Sequence, residues 1–456
     1  MYVQQYAGPL RFARRRQQNA PLSLMMTRYG KAPRPGLIAL LLASVGASAR
    51  TPAEWLAQRN EVVRTIWGDG ALPNRSRPDA ILPMNVTNAT QLEWSMQGPF
   101  FALNATVIHH QRSAANRTKA IMIMHDGHLY TDWDYTINCF RGVAQCYNAT
   151  TRQCDPSCVW FDFGNLSTWV HNELQLDYFR LFMPLMTLNA LPRGVAGIEH
   201  DAWGNHTGHE WFRQWQAKGD RPMRYFVEPV VLTINYALSL GYERVYMMGL
   251  SGGGWTTTVL SAIDPRIVLS FPAAGSLPYI FGAHAPCDYE QCREPCSPST
   301  CIAGTCTADG TRCATWYLTQ ANFSELYLLA ALEPGRYSLQ VLHENDPVCF
   351  HGATRHAAIA GYGERIMAEL NASAGTRHGA FATAIVDWNE HEWDLHTKQV
   401  VTSALAEYEA SGRPDFASLP CDILHHNSTM PPCPWPPPSS ARTSALQESG
   451  LVVGVP

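Results

Sequence analysis

Residues 244–263 read RVYMMGLSGGGWTTTVLSAI, and this stretch decides the fold. Its first five residues are mainly apolar, which is typical of a strand that is covered on both faces. Residues 253–263 have the pattern of a helix. Between the two lies Gly249-Leu250-Ser251-Gly252-Gly253, a G-x-S-x-G motif. The stretch therefore predicts a strand, a sharp turn that presents Ser251, and a helix.

The glycines around Ser251 have a physical purpose. The residues two before and two after the serine must lack bulk, because the backbone packs closely in such a strained turn. The turn lifts the hydroxyl above the sheet, and the N-terminus of the helix favours negative charge that develops beside it. The motif alone arises by chance in about one chain in eight of this size. The alternative interpretation is a glycine-rich turn with an idle serine.

Residues 50–410 alternate apolar strand-like runs with longer amphipathic runs, the pattern of an α/β architecture. The predicted strands also include residues 120–124, 181–183, 267–271, 338–342 and 381–386. The other predicted helices are residues 166–179, 226–240, 322–332, 353–370 and 395–409.

A serine hydroxyl is a poor nucleophile until a base takes its proton, so a histidine and an orienting acid are needed. The order of strand, G-x-S-x-G, helix, late acid and last histidine resembles the α/β-hydrolase superfamily across about residues 95–410. The resemblance implies a mostly parallel central sheet with helices on both faces. It also implies a Ser-His-acid triad with Ser251 as the nucleophile.

Two residues compete for the acid. Asp346, in His343-Glu-Asn-Asp-Pro347, lies just past strand 338–342, where members of the superfamily carry the acid. Glu344 is the nearby alternative. Asp346 is favoured, although Asp-Pro is also a common turn former.

Two histidines compete for the base. His391 lies a few residues beyond the last strand, in the loop that should return over Ser251. His396 begins the closing helix, so His391 is favoured. Because the two histidines are five residues apart, they do not have the four-residue spacing of helical zinc ligands.

An oxyanion hole is the remaining requirement. One donor should be the backbone N–H of Gly252, which follows the nucleophile. The second should come from His125-Asp126-Gly127-His128, which looks like a variant of the His-Gly oxyanion turn of esterases and lipases. Because an aspartate separates the histidine from the glycine, either Gly127 or His128 could donate. The alternative is an ordinary polar turn.

The first 49 residues have the layout of a secretory leader. The apolar run from Leu37 to Val45 is shorter than the about 20 residues that a membrane span needs. Basic residues precede the run, and Ala47-Ser48-Ala49 follows it, which predicts cleavage after Ala49 and no span in the mature chain. The long stretch before the run leaves Met25 or Met26 as alternative starts, and an uncleaved anchor is the other interpretation.

Eleven Asn-x-Ser/Thr sequons also favour a secretory protein, since they accept glycan on exposed backbone in that pathway. They are Asn74, Asn85, Asn88, Asn104, Asn116, Asn148, Asn165, Asn205, Asn322, Asn371 and Asn427.

The 13 cysteines fall into local groups, which predicts disulfides in a secreted chain. Six lie in residues 287–313, a Pro-, Thr-, Ser- and Gly-rich block that we expect to be a stapled surface insertion. A zinc cluster is the alternative, which the lack of a histidine pair disfavours. The remaining groups are Cys139/Cys146, Cys154/Cys158 and Cys421/Cys433, with Cys349 left over.

These features divide the chain into a leader (1–49), a catalytic domain (50–415) and a Pro- and Ser-rich tail (416–456). A histidine cluster at residues 200–210 has spacings that match no metal motif. A surface loop is the favoured interpretation, the rim of a substrate cleft is the second, and a metal site is the least favoured. No metal is predicted.

Nucleic-acid binding is excluded as a function class, because the chain has a net charge of −4 and no basic stripe. The resemblance implies two-step acyl transfer without a cofactor, with a carboxylic ester as the substrate. The ester could be a small molecule, a lipid or a polysaccharide-borne acyl group. A serine peptidase of the same fold and a catalytically silent binding glycoprotein are the alternatives, and the oligomeric state stays open.

Overall fold

A nine-stranded sheet lies at the centre of the molecule. The computed structural model describes residues 50–84, 88–99, 102–113, 118–126, 147–148, 153–154, 166–181, 216, 219–278, 293–295, 312–314, 320–343, 346, 362–386 and 391–416. All of them belong to one compact unit, Ala49–Pro456.

The strands and helices of the described residues are as follows. The strands are β1 (Ala80–Pro83), β2 (Ala89–Gln97), β3 (Ala102–His110), β4 (Ala120–His125), β5 (Tyr147–Asn148), β6 (Gln153–Cys154), β7 (Asp177–Leu181), β8 (Arg244–Leu250), β9 (Ile267–Ala273), β10 (Arg293–Pro295), β11 (Arg312–Ala314), β12 (Tyr337–His343) and β13 (Ala380–Val386). The helices are α1 (Pro52–Trp67), α2 (Leu166–Asn172), α3 (Met223–Ser239), α4 (Gly252–Ile263), α5 (Phe323–Ala331), α6 (Tyr362–Ala374) and α7 (Leu395–Ser411).

The strand order in the large sheet is β1-β2-β3-β7-β4-β8-β9-β12-β13. Neighbours from β7 to β13 run parallel, whereas β1, β2 and β3 pair antiparallel and β3 also pairs antiparallel with β7. The winding direction reverses at β4, because β7 lies on one side of it and β8 on the other. In open α/β sheets, such a reversal opens a crevice at the carboxyl ends of the strands.

Helices cover both faces of the sheet. Strand β4 is buried at every position, and its side chains alternate between two cores. Ile121 and Ile123 pack into one core, to which α3 contributes Phe226. Met122 packs into the other, to which α7 contributes Val400. This arrangement confirms the predicted α/β-hydrolase fold and explains why the central strands read as continuous apolar runs.

The structure corrects the prediction around residues 166–183. Helix α2 ends at Asn172 instead of continuing to residue 179, and the next strand is Asp177–Leu181 instead of 181–183. The turn between them contains Gln175 with a φ of 56°. Because no glycine or proline marks this turn, the apolar residues of β7 looked like a continuation of the helix.

Two other predicted features are only partly within the described residues. Helix α6 begins at Tyr362, and residues 353–361 of the predicted helix lie outside them. In the cysteine-rich segment, β10 and β11 pair antiparallel, with Glu294 opposite Cys313. The stapling of that segment stays a prediction. Within the described part, no helix is long and apolar enough to cross a membrane.

Candidate active site

Ser251 occupies the bend between β8 and α4. Its backbone has φ 58° and ψ −124°, a conformation that is strained for any residue other than glycine. The N–H of Ser251 donates to the carbonyl of Ala273, at the end of β9, over 2.9 Å. Its carbonyl accepts from the N–H of Trp255, also at 2.9 Å. The strained residue is therefore held by a neighbouring strand and by the first turn of its own helix.

The two motif glycines are required by close backbone contacts, as predicted. A Cβ atom on Gly249 would lie 2.3 Å from the carbonyl oxygen of Gly253. A Cβ atom on Gly253 would lie 1.9 Å from the carbonyl oxygen of His125, at the end of β4. Both opposing atoms belong to the backbone, so neither contact can be relieved by rotating a side chain.

Two further glycines make contacts that the motif does not reveal. A Cβ atom on Gly254 would lie 2.1 Å from the carbonyl oxygen of Ala273. A Cβ atom on Gly275 would lie 2.0 Å from the backbone nitrogen of Trp255. The first turn of α4 is therefore in close contact with β4 on one side and with the end of β9 on the other.

Asp346 and His391 form a hydrogen-bonded pair. The Nδ1 atom of His391 lies 2.7 Å from Oδ2 of Asp346. The Asp346 side chain is fully buried, and the His391 side chain is 16 % exposed. Because a carboxylate only accepts hydrogen bonds, Nδ1 donates, and in the neutral ring the lone pair is therefore on the opposite nitrogen, Nε2. That is the tautomer a general base needs.

Ser251 and the Asp346–His391 pair occupy the same edge of the sheet. Ser251 follows β8, Asp346 follows β12 and His391 follows β13, and these strands are parallel. With neighbouring strands about 4.8 Å apart, β8 and β12 are about 10 Å apart across β9. The Nε2 atom of His391 is buried and makes no hydrogen bond with any described residue, Ser251 included. Such contacts are often long without substrate and tighten in the complex.

The competing residues have other positions. The side chain of His396 lies beside Asp394, with its Nδ1 3.5 Å from Oδ1, in the first turn of α7. Its backbone N–H donates to the same oxygen at 2.6 Å. Glu344 lies outside the described residues, as do the oxyanion candidates Gly127 and His128 and the histidines of the 200–210 cluster.

Gly252, the other oxyanion candidate, is the first residue of α4 and is buried. The first N–H groups of a helix have no partner within the helix, so they are available to an anion. The N–H of Gly252 therefore belongs to a helix end that favours negative charge beside Ser251.

A buried polar network behind Asp346 was missed by sequence reasoning. His343 Nδ1 lies 3.8 Å from Oδ2 of Asp346, and His343 Nε2 lies 3.0 Å from Oγ1 of Thr397. The Thr397 hydroxyl donates to Asp394 at 2.5 Å. His343, Asp394 and Asp346 have side chains with no exposed surface.

The network fixes the tautomer of His343. The single hydroxyl proton of Thr397 is used by Asp394, so Nε2 of His343 donates to Thr397. Asp394 also caps α7 by accepting from the N–H of His396 and of Thr397. The position of Asp394 directly before a helix is a capping signal that the sequence does contain. The position of His343 between Asp394 and Asp346 depends on tertiary packing.

No group of three or more His, Cys, Asp or Glu in the described ranges could hold a metal ion.

No family model matches the chain, and no curated protein does. Among solved structures, a methylesterase is 16 % identical, with 86 % of this chain and 70 % of that chain covered and a TM-score of 0.40. Acetyl xylan esterase 1 from a Thermoanaerobacterium species is 13 % identical, with coverage of 79 % and 95 % and a TM-score of 0.42. A glucuronoyl esterase from Solibacter usitatus is 12 % identical, with coverage of 79 % and 96 % and a TM-score of 0.41. The fold of this chain is shown by its own strand order and by the helices on both faces of its sheet.

The glycine contacts of the bend can be tested by substitution. We expect Gly253→Ala to lower the free energy of unfolding by about 3 kcal/mol or more, because the added methyl collides with backbone. The control is Gly335→Ala, where φ is +81° and nothing lies within 4 Å of the added atom. That change should cost about 1 kcal/mol. Denaturant unfolding measures both, and equal losses would contradict the close approach.

Proposed function

We propose that this chain is a serine hydrolase that cleaves carboxylic esters through an acyl-enzyme. The observation that carries the proposal is the hydrogen bond between His391 and the fully buried Asp346, at the sheet edge where the strained Ser251 is presented. A strained nucleophile, a histidine in the basic tautomer and a helix N-terminus are the parts that acyl transfer needs.

In the proposed reaction, Ser251 Oγ attacks the ester carbonyl while Nε2 of His391 takes the hydroxyl proton. Asp346 holds the imidazole by its Nδ1–H and stabilises the imidazolium that forms. The N–H of Gly252, with that of Gly127 or His128, donates to the oxyanion of the tetrahedral intermediate. The imidazolium returns the proton to the departing alcohol, and water then releases the acyl group by the same route.

An ester is proposed as the substrate because most enzymes of the fold that this chain resembles cleave esters. The acyl group could belong to a small molecule, a lipid or a polysaccharide, since the fold does not select among them. Peptide cleavage and non-catalytic binding are the competing outcomes of the tests below.

A fluorophosphonate probe tests the nucleophile. We expect the probe to label the purified wild-type protein and not to label the Ser251→Ala variant, because only an activated serine reacts. The matched control is Ser239→Ala at the end of α3, where the hydroxyl donates to the carbonyl of Tyr236; it should label like wild type. Unlabelled wild type would favour a silent binding protein. If the wild type reacts with the probe, unlabelled enzyme that cleaves peptide reporters but not ester reporters would be a peptidase.

Paired alanine substitutions test the base. We expect His391→Ala to lower turnover about 10⁴-fold or more, as triad deletions do. His396→Ala should stay near wild type, because the His396 ring lies beside Asp394 instead of Asp346. Steady-state kinetics on an ester reporter measures both variants. The reverse pattern would assign the base to His396.

We also propose that the protein enters the secretory pathway, with residues 1–49 as its leader and residues 416–456 as a tail of the 50–415 domain. Three sequon asparagines within the described residues, Asn74, Asn88 and Asn371, are exposed. Asn322 is half-buried and caps α5 through its Oδ1, which accepts from the N–H of Glu325 at 3.1 Å. Its amide nitrogen, the atom that would carry a glycan, is not needed for that cap.

Peptide mapping tests this proposal. On protein from a eukaryotic secretory host, we expect glycan on sequon peptides and three linked cysteine pairs in residues 287–313 without reductant. Oxidising conditions favour such local pairs. Free thiols or bound zinc in that segment would contradict the stapled insertion.

A further inference from the structure

Arg180 and Asp126 form a buried ion pair at the edge of the sheet that carries Ser251. The Nε atom of Arg180 lies 2.7 Å from Oδ2 of Asp126, and the two side chains are 4 % and 8 % exposed. Asp126 directly follows β4, and Arg180 is the second-last residue of β7. The pair therefore links the ends of two adjacent parallel strands.

The ladder between these strands continues past β4 through the backbone of Asp126. Met124 pairs with Arg180, and His125 pairs with Leu181. The N–H of Asp126 then donates to the carbonyl of Leu181 over 2.9 Å. The side chain and the backbone of Asp126 are thus both held by β7.

The carbonyl group of Asp126, on the other side of its Cα atom, lies against the nucleophile turn. A Cβ atom on Gly253 would lie 3.0 Å from the carbonyl carbon of Asp126, besides its collision with His125. The Nδ1 atom of His125 lies 2.8 Å from the carbonyl oxygen of Asp126. Since a carbonyl only accepts, Nδ1 donates, and this bond fixes the orientation of the Asp126 peptide plane.

General stability is a weak reason for such a pair. Taking two charges out of water costs several kcal/mol per ion, and buried pairs are often replaced by apolar residues without loss. A positional role is a better explanation here, because the Asp126 carbonyl lies against the first turn of α4 and the two candidate oxyanion donors directly follow Asp126 in the sequence. Catalytic geometry is sensitive, and a 1 Å misplacement can cost about 10²-fold in rate.

We propose that Arg180 and Asp126 are positioning residues for the oxyanion hole. Arg180 holds Asp126 in place beside the first turn of α4, and it thereby sets the point from which the chain continues to the candidate donors Gly127 and His128. Neither side chain touches the substrate. This inference rests on the proposed function, and it gives a purpose to the aspartate that separates His125 from Gly127.

We expect substitutions in this ion pair to weaken stabilisation of the tetrahedral intermediate and to leave binding of the ester unchanged. Donors directed at the oxyanion act in the transition state more than on the bound ester, so their misplacement lowers kcat and leaves KM unchanged. We expect Asp126→Asn to lower kcat about 10²-fold. Affinity for phenylboronic acid, which forms a tetrahedral adduct with an active-site serine, should fall by the same factor.

Two further variants keep the test valid if a lone buried charge prevents folding. Arg180→Lys retains the cation beside Asp126, so its kcat should fall less than that of Asp126→Asn. The double variant Asp126→Asn/Arg180→Met removes both charges, so it should fold and still show the lowered kcat. Fluorophosphonate titration gives the concentration of intact sites, to which kcat is referred.

The matched control is Arg59→Met. Arg59 is also buried, with 6 % exposure, and pairs with Glu333 at 2.9 Å, but it lies on α1 away from the sheet edge that carries Ser251. We expect it to lower the Tm without changing kcat per titrated site. Kinetics of the Asp126 and Arg180 variants within threefold of wild type would overturn the inference while the proposed function stands. An unlabelled wild type would instead overturn the proposed function.

Discussion

The close approach of α4 to the ends of β4 and β9 is the constraint on which the site depends. Gly253 and Gly254 meet the carbonyl oxygens of His125 and Ala273 at distances that leave no room for a side chain. This contact places Ser251 in a left-handed backbone conformation that costs on the order of 1–3 kcal/mol. All twelve residues of α4 are buried, so packing of the helix holds the strained turn in place.

The proposed acid, Asp346, and the proposed base, His391, depend on a second constraint, which is that a buried charge needs partners. Asp346 has no exposed surface and receives a hydrogen bond from His391. Behind it, His343 connects β12 to Thr397 and to Asp394, the cap of α7. The loop that carries His391 leads directly into that cap. The short segment from His391 to Asp394 therefore ties the position of the imidazole to the start of α7.

Local signals in the sequence were enough to predict much of this arrangement. The G-x-S-x-G motif, the apolar run of β8 and the helix after it depend on neighbours in the chain, and all three are present where they were predicted. The boundary of β7 was predicted wrongly, because Gln175 makes its turn without glycine or proline. Asp346 and His391 were selected from their order along the chain, and the structure pairs them.

Contacts between distant segments were beyond the reach of the sequence. Gly275 reads as an ordinary turn residue until the structure places it against Trp255. Arg180 reads as a charge in an apolar run, because nothing local shows that β7 pairs with β4. His343 likewise gains its meaning only when α7 returns over β12. In each case the partner lies on another element of the fold, and local periodicity does not show which elements pack together.

The reversal of winding at β4 explains how the parts of the site are divided. The chain passes from β4 to β7 on one side of the sheet and from β8 to β13 on the other. The Arg180–Asp126 pair therefore belongs to the earlier side, and the Asp346–His391 pair to the later side. The two sides meet at the first turn of α4, which contacts the end of β4 through Gly253 and the end of β9 through Gly254. Because that contact is steric and made by backbone atoms, it fixes the position of one side relative to the other, and in the proposed mechanism it sets the geometry between the candidate oxyanion donors and His391.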